Sequence, residues 1–147
     1  MSFIDDVFEV LSADEVLIEL LPGGMYSGAE VREVSRQNTP AAFDENKKIM
    51  PCLFVAVNTD IMRGPYVRSM QTSISVYFYQ LVGYEVIKQA MDRTFDLLHD
   101  QKVGANTWNV QLSNAVENQN DAALDCSLST QRYMAARMQQ VYAAEGS

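Results

Sequence analysis

The stretch that most constrains this chain runs from Met70 to Leu98, where one apolar period gives way to another. Met70, Thr72, Ile74, Val76 and Phe78 fall on one face of an extended segment, and Gln71, Ser73, Ser75, Tyr77 and Tyr79 on the other. That alternation, rich in β-branched and aromatic residues, predicts a strand. Ten such residues span roughly 33 Å, longer than most strands. After Gly83 the apolar positions recur at three- and four-residue steps, through Ile87, Ala90, Met91, Thr94, Phe95 and Leu98. This predicts an amphipathic helix, with Gly83 turning the chain before it and Glu85 suiting the positive end of its dipole. The helix needs a sheet to bury its apolar stripe, so the remaining segments are read as partners of this unit.

A length of 147 residues suits one domain, residues 1–147, able to bury a substantial core. No apolar run of about eighteen residues occurs, and no basic leader precedes an apolar segment, so neither a membrane span nor a secretory signal is expected. Net charge is −8. Much of the excess lies in residues 1–24, where Asp5, Asp6, Glu9, Asp14, Glu15 and Glu19 are accompanied by no Lys or Arg. Such a run is either a solvated helix face or a wall that repels nucleic acid and steers a basic partner. Tight sequence-independent binding to phosphates needs clustered Lys and Arg, and is not expected. Cys52 and Cys126 sit in apolar strand-like segments. Buried free thiols are the default there, a disulfide between neighbouring strands the alternative.

In chain order, residues 2–21 are expected to be helical with a break near Ser12, where Ser12-Ala13-Asp14-Glu15 has the form of a capping box. Pro22-Gly23-Gly24 ends that region. Small strands are expected at Met25-Tyr26 and at Val31 to Val34, followed by a long loop over 36–50 that is functional or mobile. Pro51 opens the apolar strand CLFVAV. Asn58 to Arg68 then reads as an extended hairpin leading into the strand at 70–79. Beyond the helix, a short strand is expected at 108–112, a polar turn at Asn114 to Asp121, a strand at 122–132, and a helix or frayed tail at 135–147. The fold class is therefore α+β: a mainly antiparallel sheet with helices packed on one side and a long β-hairpin extension.

The chain holds none of the familiar catalytic signatures: no phosphate-binding glycine loop, HExxH, CxxC or nucleophile elbow. His99 ends the main helix, where a role at the helix terminus outweighs a catalytic one. Asp92 and Asp96, one turn apart, read as a solvated face. No catalytic, cofactor-binding or metal-ligating residues are assigned. Binding features are richer. Asp60, Ile61, Met62, Arg63, Tyr66 and Arg68 surround the hairpin tip, and Met, Arg and Tyr are typical interface anchors; a plain surface loop is the alternative. Tyr77 and Tyr79 lie opposite the Ile74-Val76-Phe78 side, as core or as a contact surface for a second copy.

This arrangement is assembled from an acidic helix, LPGGMYSG, PCLFVAV, RSMQTSISVYFYQ running into GYEVIKQAMDRTFDLLH, a Trp-bearing strand, and LDCSLSTQRYMA. It resembles the tail-terminator, or tail-completion, proteins of long-tailed bacteriophages, across nearly the whole chain. The resemblance implies a virion protein without catalysis or cofactors, assembled in the host cytoplasm and located at the junction of tail and neck. It implies a ring of identical copies, usually six, which stops growth of the tube made by the major tail tube protein. The other face of that ring meets a neck or head-completion protein, and DNA passes through without specific binding. A different neck component, such as a connector protein, is the nearer rival; a small enzyme or ligand-binding domain is the further one.

Overall fold

The computed structural model describes residues 3–62, 69–104, 107 and 109–138. Two helices, α1 (Phe3–Ser12) and α2 (Glu15–Leu20), lead to a three-residue strand β1 (Met25–Ser27). A segment with one 3₁₀ turn at Pro40–Ala42 follows, and then the hairpin strands β2 (Cys52–Met62) and β3 (Ser69–Gln80). Helix α3 (Glu85–Leu98) precedes the last pair, β4 (Gln111–Asp121) and β5 (Cys126–Met138). The sheet order is β1-β2-β3-β5-β4. Among the described residues only β1 and β2 are parallel, and the other strand pairings are antiparallel. The α+β architecture with a mainly antiparallel sheet is thus present.

The alternation expected in β3 sets the two layers. Ile74, Val76 and Phe78 face the helices together with Leu53, Val55, Tyr133 and Ala135 from the flanking strands. Ile4, Val7 and Leu11 of α1, Leu17 of α2, and Ile87, Ala90, Met91 and Leu98 of α3 close over them. Phe78 is fully buried at the centre, where an aromatic of that size contributes several kcal/mol. The opposite face carries Cys52, Phe54, Tyr79 and Cys126, covered not by a helix but by Val34, Ala42, Phe43 and Ile49 from the segment between β1 and β2.

The strand-to-helix unit is spliced by one side chain. Gln80, the last residue of β3, is buried. Its Oε1 accepts from the backbone N–H groups of Val86 and Ile87, each at 3.1 Å. Its Nε2 donates to Val82 O at 2.9 Å and to Glu85 Oε1 at 3.3 Å. Glu85 Oε2 in turn accepts from Tyr84 N at 3.0 Å. Donors at a helix start lack intrahelical acceptors, so a glutamine from the preceding strand satisfies them here in place of a conventional cap. Gly83 turns with φ +87°, and a Cβ there would meet Glu85 Oε2 at 2.8 Å; glycine alone suits the position.

Five local expectations are corrected. The capping box is absent: Asp14, not Ser12, caps α2, accepting from Leu17 N at 3.0 Å. No strand forms at Val31 to Val34. After β1 the chain turns instead, with Ser27 Oγ accepting from Ala29 N and Ser27 O from Glu30 and Val31 N. Asn114 to Asp121 is no turn but most of β4, laddered on β5 from Arg132 to Cys126. Its polarity reflects exposure of both faces, since one paired edge is enough to hold a strand. The short strand expected at 108–112 shrinks to Gln111 and Leu112 at the start of β4, with Asn109 in an isolated bridge to Lys102; Trp108 lies outside the described residues. Finally, Ala135 to Met138 continue β5 opposite Thr72 to Ser69 rather than starting a helix; residues 139–147 lie outside the described set.

The 36–50 segment, expected as a long loop, is knitted together. Asp44 Oδ1 accepts from Asn46 N and Lys48 N, both at 2.9 Å. Phe43 and Ile49 form a bridge, and Met50 N donates to Ala42 O. Thr39, Ala42, Phe43 and Ile49 are buried.

Candidate assembly surfaces

Asp60, Ile61 and Met62 form the far end of β2, opposite Thr72, Gln71 and Met70. A register shift between Val57 and Asp60 bends the hairpin as it leaves the covered part of the sheet. Arg63, Tyr66 and Arg68 lie outside the described residues. The extended hairpin between β2 and β3 is therefore present up to its tip.

The two tyrosines part company. Tyr79 is buried within the chain's own second core, and that burial pushes its hydroxyl well above the ordinary value. It has no face left for a second copy. Tyr77 is only half-buried and lies 6.3 Å from the Phe54 ring, so it keeps surface to offer.

The acidic run divides in a similar way. Asp5, Glu9, Glu15 and Glu19 are exposed, and Asp6 is half-buried. Asp14 is engaged: Arg93 of α3 donates from Nη2 to Oδ1 at 2.7 Å and from Nε to Oδ2 at 3.0 Å. The guanidinium hydrogen bonds, more than any other influence, hold the Asp14 carboxyl below the usual carboxylate value, with the N-cap bond from Leu17 assisting. Asp14 is thus a clasp between α2 and α3 rather than part of a free acidic wall. Between the exposed carboxylates of α2 stand Val16 and Ile18, 45% and 52% exposed; Val16, which the sequence groups with Leu17, Leu20 and Leu21 as the apolar side of this helix, faces outward instead.

His99 follows α3 and stacks on Phe95 at 4.4 Å, and its Nδ1 accepts from Leu112 N at 3.0 Å. The ring thus ties the end of the helix to β4. Cys52 and Cys126 are both buried free thiols, each pushed up to about 12 chiefly by burial. They share one face of the sheet, but Cys52 pairs with Tyr79 and Tyr79 with Leu128, so strand β3 stands between them. A shallow cleft of about 270 Å³ is lined by Arg36, Pro40, Phe43, Asp44, Glu45 and Lys47. There Arg36 lies over the Phe43 ring at 5.2 Å and donates to Lys47 O at 2.9 Å. Those groups are occupied with each other. Among the described residues, no group of three or more His, Cys, Asp or Glu side chains is placed to hold a metal, and no helix is long and apolar enough to cross a membrane.

No family model matches this sequence, and no curated protein matches it. Among solved structures, it is similar to a chain of the virion of a native gene transfer agent particle, with 15% identity and a TM-score of 0.63. The match covers 90% of this chain and 92% of the other, so the shared fold extends over most of both.

Proposed function

We propose that this chain is a structural virion protein: a tail-terminator-like subunit whose copies form a ring, six in number by the family resemblance. The ring caps the tail tube, ends its polymerisation and joins the tail to the head. The observation that carries this reading is the end-to-end likeness of fold to a chain of a virion particle. The order of elements that resembles tail terminators supports it from the sequence side. In this reading the chain works by contact rather than catalysis. Its partners are other copies of itself, the major tail tube protein, and a neck or head-completion protein; it needs no cofactor and no membrane. DNA passes without being specifically held, consistent with the carboxylates of α1 and α2 and the net charge of −8.

The hairpin of β2 and β3, with Asp60, Ile61 and Met62 and the adjoining Arg63, Tyr66 and Arg68, reaches the neighbouring ring or subunit. Tyr77 and the exposed carboxylates are further contact groups. The test is assembly in a system that makes the whole particle. Without this chain, heads and tails are expected to accumulate unjoined, with tubes of irregular length. With Met62→Asp and Tyr66→Asp together, joined particles should fall by more than about tenfold, as for interface anchors. Undiminished joining by that variant removes the hairpin from the contact. Normal tails and joined heads without the chain remove the terminator reading altogether; uniform tails that merely fail to join point to a connector elsewhere in the neck.

A further inference from the structure

We infer that the subunits join edge to edge, β4 of one copy adding antiparallel to the outer edge of β2 in the next, so that the sheet runs on from copy to copy. This rests on the ring reading above and specifies its contact. Three observations carry it.

The first is that the sheet has two unlike open edges. At one side, β1 is only three residues long and covers β2 no further than Val55. Gly28 N donates to Val55 O at 2.7 Å, and a Cβ on Gly28 would stand 3.1 Å from that same oxygen. There the chain turns away. From Ala56 to Met62 the outer edge of β2 has no strand beside it among the described residues, a length of about 20 Å. At the other side, β4 offers eleven residues whose one strand partner among the described residues is β5; two of its amides are already engaged, Leu112 N with His99 Nδ1 and Asn118 N with Ser129 Oγ.

Second, β4 is bent by two irregularities, one with Asn118 at φ +54°, but lacks the charged and proline defences of an edge. Exposed edges are normally blunted by Lys, Pro or inward-pointing charge. β4 reads QLSNAVENQND, with no Lys, Arg or Pro, and its carboxylates are confined to Glu117 and Asp121. Nearly all of it is exposed. Its two register shifts bend it without charging it. A long, nearly uncharged ladder of amides and carbonyls favours a strand partner.

Third, the strand directions select a second copy as that partner. β2, β3, β5 and β4 alternate in direction across the sheet. β4 therefore runs opposite to β2. Copies related by rotation about an axis along the strands keep their direction, so β4 of one meets β2 of the next antiparallel without being turned over. That is the more stable ladder pattern. The two edges differ, so the contact is head-to-tail, the kind that closes rings. The register also sets the offset. The middle of the open part of β2 lies level with Ser73, and the middle of β4, at Val116, lies level with Tyr77. Bringing them together needs a stagger of about four residues over four strands. One residue per strand is the shear with which parallel eight-stranded barrels close.

The test is hydrogen exchange read by mass spectrometry on the assembled and the single-chain protein, with light scattering to establish which is which. Backbone amides in both 111–121 and 56–62 should slow by more than about tenfold on assembly. Protection of β4 without 56–62 overturns the proposal in favour of a strand from a different protein. Rings in which neither segment is protected overturn the edge pairing and leave the ring reading standing. A protein that stays a single chain, alone and on tail tubes, overturns both. Ala115→Lys with Val116→Lys supplies a second arm, since both positions are exposed in the single chain. It should reduce the assembled fraction by more than about tenfold with an unchanged circular dichroism spectrum and Tm; assembly at the level of the parent overturns the proposal.

Discussion

The two faces of the sheet bury comparable side chains under very different covers. On one face, Phe78, Val76 and Tyr133 lie under three helices, and the polar groups there are tied in sequence. Tyr133 donates to Gln131 Oε1 at 2.7 Å, and Gln131 Nε2 donates to Met91 O at 3.2 Å, locking β5 to α3. On the other face, Phe54 and Tyr79 lie under an irregular segment whose order comes from Asp44, Ser35 and Thr39 bonding to nearby backbone. Helices satisfy their own backbone, so the first cover depends on packing against the sheet. An irregular cover must satisfy its amides one at a time, so side-chain turns become part of its stability. A layer held in this way can settle into space left beneath it more readily than a helix can.

That contrast is open to direct attack. Phe78→Ala should cost about 4 kcal/mol in urea unfolding, because the helices above cannot close the void, while Ile49→Ala beneath the irregular cover should cost about 2 kcal/mol. Equal losses would mean that both covers are equally rigid. Next in size is Gln80→Leu, which strands the amides of Val86 and Ile87 at the start of α3. A loss of about 2 kcal/mol is expected, with faster hydrogen exchange at the first turn of that helix. Exchange unchanged there would show that the glutamine is not its cap.

Asp14→Ala should cost about 1 kcal/mol at neutral pH as a lost N-cap. Its carboxyl is held below the ordinary value of 3.8 in the fold. Its contribution is therefore complete above that value and is lost as pH falls through the lowered one. The difference between parent and variant should narrow below about pH 4; a gap that stays constant from pH 7 to pH 2 would remove the ion pair from the account. Smallest in energy is the behaviour of Cys52 and Cys126 toward a thiol reagent at pH 8. With both thiols buried and pushed up to about 12, labelling should be no faster than unfolding. Rapid labelling of either would show that the irregular cover opens on its own.

The same contrast explains what could be read from the chain beforehand. Strand β3 and helix α3 announce themselves because each is apolar on one side, and a one-sided element carries a period. Val34, Ala42, Phe43 and Ile49 are as deeply placed, but they descend from a segment with no repeat, so nothing in their spacing marks them as core. β4 fails for the opposite reason. Exposed on both faces, Asn114 to Asp121 present no apolar side at all, and their strand is specified by the length of β5 opposite them. The break near Ser12 was legible; which residue caps beyond it was not, because Asp14 is selected by Arg93, distant in sequence. Of the candidate contact groups, Tyr77 is half-covered, while Tyr79 and Asp14 are engaged within the chain. Ile18 could have been noticed as an apolar residue off the stripe of α2.

The placement of the two sulfur atoms on either side of β3 has a consequence for where such a molecule can work. Strands spaced about 4.8 Å apart put residues two strands removed at least about 9 Å from each other, whereas a cystine needs its α-carbons within about 7 Å. Joining them would require pulling β3 out from between. The fold should therefore be indifferent to oxygen: moved from a reducing to an oxidising medium, it would neither gain a cross-link nor lose one.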